Sequence, residues 1–208
     1  MFLDRLMQAE SGGRDMAKSR SSSALGPFQF LDSTFLEVTR IHFAEETKSM
    51  APGKILALRT NRPFARRAAE AYTRDNAAHL ADYGLKPTFP HLRLAYLVGP
   101  AGAVRILKAK PETPVHILLG SAVIRANPFM RGMTARDLIR RAAWDISADA
   151  ASQAGIKGGQ RRRYGRPKPL VQVRCNLRLP SCKRWRAMAV KRLRARQRRG
   201  AGQQEARN

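Results

Sequence analysis

Leu3, Leu6, Met7 and Glu10 recur at spacings of three and four near the start of the chain, so they share one face of a helix. Gly12-Gly13 stops that helix. Asp32 or Ser33 is expected to cap a second helix over "LDSTFLEVTRIHFAEET", with Phe35, Val38 and Ile41 or His42 turned inward. "NRPFARRAAEAYTRDNAAHLADYG" predicts a long Ala-rich helix with Pro63 in its first turn and Gly84 as its stop. "HLRLAYLVGPAGAVRILKA" predicts a short buried helix, a Gly-Pro-Ala-Gly turn and a second helix. One more short helix is expected in "TPVHILLGSAVIRANP", and another in "TARDLIRRAAWDISADAAS" behind Thr134 as its cap. No stretch alternates as a strand does, and no repeat is visible. The expected fold class is mainly α, with roughly six or seven helices.

Charge divides the chain in two. The whole carries 40 Lys+Arg against 15 Asp+Glu, a net +25. Residues 157–208 hold 18 of the basic residues and one acid, Glu205. We therefore expect a domain over 1–154 and an Arg-rich tail over 155–208. The apolar fraction of 43% is ordinary for a globular core. Both cysteines, Cys175 and Cys182, lie in the tail, which argues against thiol chemistry or cysteine-held metals in the body. The four histidines, His42, His79, His91 and His116, show no metal-ligand spacing, and no metal or cofactor is expected. "GPAGA" at 99–103 lacks the Lys-Ser/Thr ending of a phosphate-binding loop and reads as a helix-joining turn. No run is long enough for a transmembrane segment.

The candidate chemistry sits at Glu10. A carboxylate on an apolar face resists ionisation, and the nearby helix C-terminus acts in the same direction. A carboxyl that keeps its proton near neutral pH can give it to a glycosidic oxygen as the bond breaks. Most glycosidases add a second carboxylate. Asp15, Asp32 and Glu37 are the candidates, and each also reads as a loop or helix-cap residue. One acid is enough if a hydroxyl of the sugar itself attacks the anomeric carbon.

Three segments in order, "AESGGR" (9–14), "ALGPFQF" (24–30) with "STF" (33–35), and "LAYLVGPAGAVRIL" (94–107), resemble the soluble lytic transglycosylase and goose-type lysozyme-like family. The resemblance spans about residues 2–145. It implies a lysozyme-like helical domain that cleaves the MurNAc–GlcNAc β-1,4 bond of peptidoglycan and leaves a 1,6-anhydro-MurNAc end. By position it implies Glu10 as the acid/base and Ser11 as the residue orienting substrate or glutamate. It gives Gly26 and Gln29 as shaping the glycan groove, Phe28 as an apolar wall, and Tyr96 as a hydrogen-bonding neighbour of Glu10. The sequence departs from the family at Leu97, where Asn is usual. The contact made by that Asn is then expected from elsewhere, with Asn76 and Asn127 the candidates. The implied partner is the peptidoglycan glycan strand, and the implied location is the cell envelope or periplasm. The chain opens "MFLDRLMQAES" with no secretory signal, so a truncated start or another delivery route is expected.

The tail allows several readings. "GGQRRRYGRPKP" and "KRWRAMAVKRLRARQRRG" interleave Arg with Tyr164 and Trp185, the composition of a polyanion-binding arm. The same composition fits a disordered tail, or the product of a GC-rich gene read out of frame. The rivals to the transglycosylase are a hydrolytic lysozyme and an inactive lysozyme-like body that binds wall or polyanion.

Overall fold

The computed structural model describes residues 1–20 and 22–147. The chain divides into two units, Met1–Arg174 and Cys175–Asn208, and the described residues fall in the first. The expected boundary at 154/155 and the basic tail lie outside the described residues.

The described residues form ten α-helices and no named strand. They are α1 (Phe2–Ser11), α2 (Asp32–His42), α3 (Ala44–Thr47), α4 (Pro52–Ala57), α5 (Arg62–Asp82), α6 (Phe89–Val98), α7 (Pro100–Lys108), α8 (Val115–Leu119), α9 (Ser121–Ala126) and α10 (Ala135–Asp145). Short 3-10 turns follow α4 at Leu58–Thr60 and α9 at Pro128–Met130. The mainly α fold class therefore holds for the described residues. None of their helices is long and apolar enough to cross a membrane.

α6 is the central element. Leu92 to Val98 are all buried, and the helix packs against α5, α7 and α10. A helix buried over such a run has to be enclosed by its neighbours, and Arg93 is the one charged residue within it. α1 packs on α5 and α10, with Phe2, Leu6, Glu10 and Ser11 buried; Leu3 and Met7 are only half-buried. α2 lies on α4 and α5. α5 begins behind Asn61, whose side chain accepts from the Phe64 amide. α10 begins with a capping box, in which Thr134 and Asp137 satisfy each other's backbone amides.

Several boundaries differ from expectation. Neither Asp32 nor Ser33 caps α2; the helix starts at Asp32 behind Leu31, and the Asp32 carboxylate is held by Arg59 at 2.6 Å. The run after His42 breaks at Phe43, and Ala44–Thr47 forms a separate turn of helix. The junction between α6 and α7 is Gly99 alone; Pro100, Ala101 and Gly102 already belong to α7, where proline suits the first turn. Two short helices, α8 and α9, stand where one was expected, and α4 was not foreseen. The helix count exceeds the expected six or seven because these extra elements are each only four to six residues long.

Between α1 and α2 the chain makes a compact loop that folds back on itself. Ser19 donates to the Ala24 carbonyl at 2.9 Å, and Gly26 to that of Ala17 at 2.8 Å. Arg59 clamps the loop from outside, with Nη1 donating to the carbonyls of Ser23 (2.7 Å) and Phe30 (3.1 Å). Phe30 anchors its end in the bundle, with its ring 5.4 Å from Phe35, 6.1 Å from Tyr72 and 5.9 Å from Tyr96.

Gly26 is where the clamp meets the loop. Its φ is +87°, and a Cβ there would lie 2.0 Å from the Arg59 carbonyl oxygen. Gly26→Ala is therefore expected to cost about 3 kcal/mol or more. Thermal unfolding would show this as a fall in Tm of roughly 6 °C or more. A change within 2 °C, on that same roughly linear scale, would mean the two backbones separate freely.

Candidate functional site

Glu10 lies at the C-terminal end of α1, just before Gly12 turns the chain in the left-handed region at φ 65°. Its side chain has no exposed surface, and neither has that of Arg93. Arg93 Nη1 donates to Glu10 Oε1 at 2.5 Å. The other edge of the guanidinium faces Asp145, with Nε and Nη2 donating to Oδ2 at 3.2 and 3.0 Å. Arg141, one turn earlier on α10, donates from Nε to Asp145 Oδ1 at 2.9 Å. Four side chains from α1, α6 and α10 thus alternate in charge.

The two carboxylates are not equivalent. Asp145 receives three charge-assisted bonds from two arginines. Glu10 receives one, and its Oε2 is buried with no hydrogen-bond partner among the described residues. Burial pushes the Glu10 pKa above its ordinary value; Arg93 opposes that shift, and the negative charge of Asp145 adds to it. The net shift is upward because a buried oxygen without a donor disfavours a full negative charge. The result is a carboxyl that retains its proton to higher pH than an exposed glutamate does.

The other expected site residues act on the loop. Ser11 Oγ donates to the Met7 carbonyl at 3.2 Å and accepts from the Arg14 amide at 3.1 Å, which closes the end of α1. Gln29, at φ 49°, spends its side-chain amide on the carbonyls of Ala17 (2.7 Å) and Gly26 (2.8 Å). Those bonds offset the cost of a left-handed non-glycine residue. Tyr96 donates its hydroxyl to the Phe28 carbonyl at 2.8 Å, so it ties α6 to the loop. The Phe28 ring is buried. Glu10 is bonded instead by Arg93, three residues before Tyr96 on the same helix.

Arg93 links Glu10 to an acid that is not among the candidates Asp15, Asp32 and Glu37. Asp15 pairs with Arg62 at 2.7 Å on the surface, and Asp32 pairs with Arg59. The acid linked to Glu10, through Arg93, is Asp145. Neither Arg93 nor Asp145 stood out in the sequence as Glu10 did. The signal for Arg93 was nonetheless present, as a single cation inside the apolar run "HLRLAYLV". Of the asparagines weighed for the missing family contact, Asn127 donates to the Val123 carbonyl at 3.1 Å and Asn76 is buried in α5. His42 pairs with Asp75, with Nε2 2.7 Å from Oδ2.

Searches against protein-family models and against curated proteins found no match for this chain.

A carboxyl whose folded pKa is raised contributes stability that is complete below its unfolded pKa, here about 4.5. That contribution is lost as pH rises through the folded value. Glu10→Gln keeps the shape and removes the titration. The Tm of the variant minus that of wild type is therefore expected to increase from pH 4 toward neutrality, as the unfolded glutamate ionises and the folded one resists. A difference that stays flat or falls would mean Arg93 holds Glu10 as an ordinary carboxylate.

Proposed function

We propose that the body of this protein is a peptidoglycan lytic transglycosylase on a lysozyme-like frame, with Glu10 as its single acid/base. One observation carries the reading. The glutamate singled out by the sequence is a buried carboxyl with a raised pKa and an unbonded oxygen. It sits at the hinge between α1 and a loop braced by Ser11, Gly26, Gln29 and Tyr96. The motif order of the resemblance supports the substrate class.

The chemistry needs little else. The Glu10 carboxyl gives its proton to the glycosidic oxygen, and the bond from that oxygen to the MurNAc anomeric carbon breaks. The C6 hydroxyl of the same sugar then bonds to the anomeric carbon and returns its proton to Glu10. No water is consumed, and Glu10 ends as it began. Asp145 is poorly suited to activate a water in a hydrolytic variant, because both its oxygens are engaged by Arg93 and Arg141. Access for a glycan requires the cover over Glu10 to open on binding.

That cover favours a second reading. A glutamate with no exposed surface, ion-paired to an equally buried arginine, also suits a lysozyme-like body that binds wall polymer without turnover.

Digestion of purified sacculi by wild type and Glu10→Gln separates these readings, with products resolved by mass spectrometry. Anhydro-muropeptides are expected from wild type, with a loss of at least about a thousandfold in the variant. Reducing ends in place of anhydro ends would make it a hydrolase. No products, together with retained binding to sacculi by both proteins, would establish the binding body.

A further inference from the structure

One positive charge on Arg93 serves two carboxylates, and they share it unequally. Asp145 takes Nε and Nη2 on a single oxygen, an arrangement that fixes the plane of the guanidinium. Glu10 meets only Nη1. Asp145 is in turn held from its outer side by Arg141, four residues earlier on the same helix. Exposure follows the same gradient: the Arg141 side chain is 26% exposed, Asp145 9%, and Arg93 and Glu10 0%. The chain of bonds runs from near-surface to core and ends on the one carboxylate with an oxygen to spare.

We propose that Asp145 is a positioning residue for Glu10: it locks the Arg93 guanidinium and keeps most of its charge, so Arg93 orients Glu10 through Oε1 without neutralising it and leaves Oε2 for proton transfer. This rests on the reading of Glu10 as a general acid. Without Asp145, Arg93 would be a counter-ion for Glu10 and would hold it as a carboxylate, unable to donate. The other charged groups around α1 are engaged elsewhere. Arg66 of α5 pairs with Asp4, Arg5 donates to the Ile146 carbonyl, and Arg62 pairs with Asp15 beyond the helix end. Arg14 Nε donates to the Ser11 carbonyl. Tyr96 of α6 donates its hydroxyl to Phe28.

The test reads Glu10 directly, by carbon-13 NMR titration of its side-chain carboxyl in the full chain. Asp145→Asn preserves the shape, removes a negative neighbour and frees the guanidinium for Glu10. The Glu10 midpoint is expected to fall by about one pH unit or more, a tenfold change in proton affinity. Arg93→Gln removes the cation and is expected to raise the midpoint. Arg141→Gln, at a more exposed position, strips Asp145 of its outer partner and is expected to raise it less. It gives an independent reading should the buried variants not fold. Shifts of opposite sign for Asp145→Asn and Arg93→Gln support the proposal, since general loosening of the core would move both the same way. Shifts of one sign, or none, overturn it; so does a fall in Arg141→Gln.

Sacculus digestion across pH tests the underlying reading separately. The high-pH limb of activity is expected to move with the midpoint. Opposite NMR shifts with no cleavage by wild type would leave the positioning intact and remove the general-acid reading.

Discussion

Burying Arg93 is the constraint around which the body is organised. A guanidinium cannot shed its proton, so a helix that carries one into the core must bring anions to it. α6 is enclosed on several sides, and Arg93 lies within its buried run. The anions come from the two ends of the described chain, Glu10 from α1 and Asp145 from α10. One buried cation with two ionic contacts thus fixes how the first and last described helices meet the central one. Removing Arg93 would leave Glu10 and Asp145 without the cation between them, which is far more costly than never having built the cluster.

That constraint also shapes the chemistry of Glu10. Two carboxylates around one cation cannot both be satisfied, and the geometry favours the one nearer solvent. Asp145 has a second arginine and three bonds; Glu10 has one bond and a bare oxygen. The same low-dielectric surroundings that make the pair strong make negative charge on an oxygen without a donor expensive, and a proton on Glu10 removes that cost. Stability and proton affinity are therefore linked at this residue.

The legible part of the sequence was local. The spacing of Leu6 and Glu10, the Gly12-Gly13 stop, the long run ended by Gly84 and the Thr134 cap each depend on neighbours within a turn, and each appears in the structure. Glu10 was legible for the same reason, as a charge out of place on an apolar face. Arg93 was equally out of place but sat in a run that read as plain core. Asp145 was hidden by its spacing from Arg141, which looks like an exposed pair at i and i+4. The Asp32 cap failed because a partner 27 residues away, Arg59, claimed its carboxylate. Pairings over such separations leave no mark on local pattern. The loop was legible as a loop, but the uses of Gln29 and Tyr96 within it were not, since their partners are carbonyls that every residue has.

That last point has its own consequence. The bonds that shape the loop from Gly13 to Phe30 run mostly to main-chain oxygens: Arg62 to Gly13, Gln29 to Ala17 and Gly26, Arg59 to Ser23 and Phe30, Tyr96 to Phe28. Carbonyls are indifferent to the side chains beside them. A bond to a carbonyl places no demand on the side chain beside it, whereas Ser22 and Ser23 are held to type because their hydroxyls accept from the Ala24 and Asp32 amides. A scaffold of this kind separates the part that must stay constant from the part that can vary, and so permits selection to alter the outer face of the loop without dismantling its path.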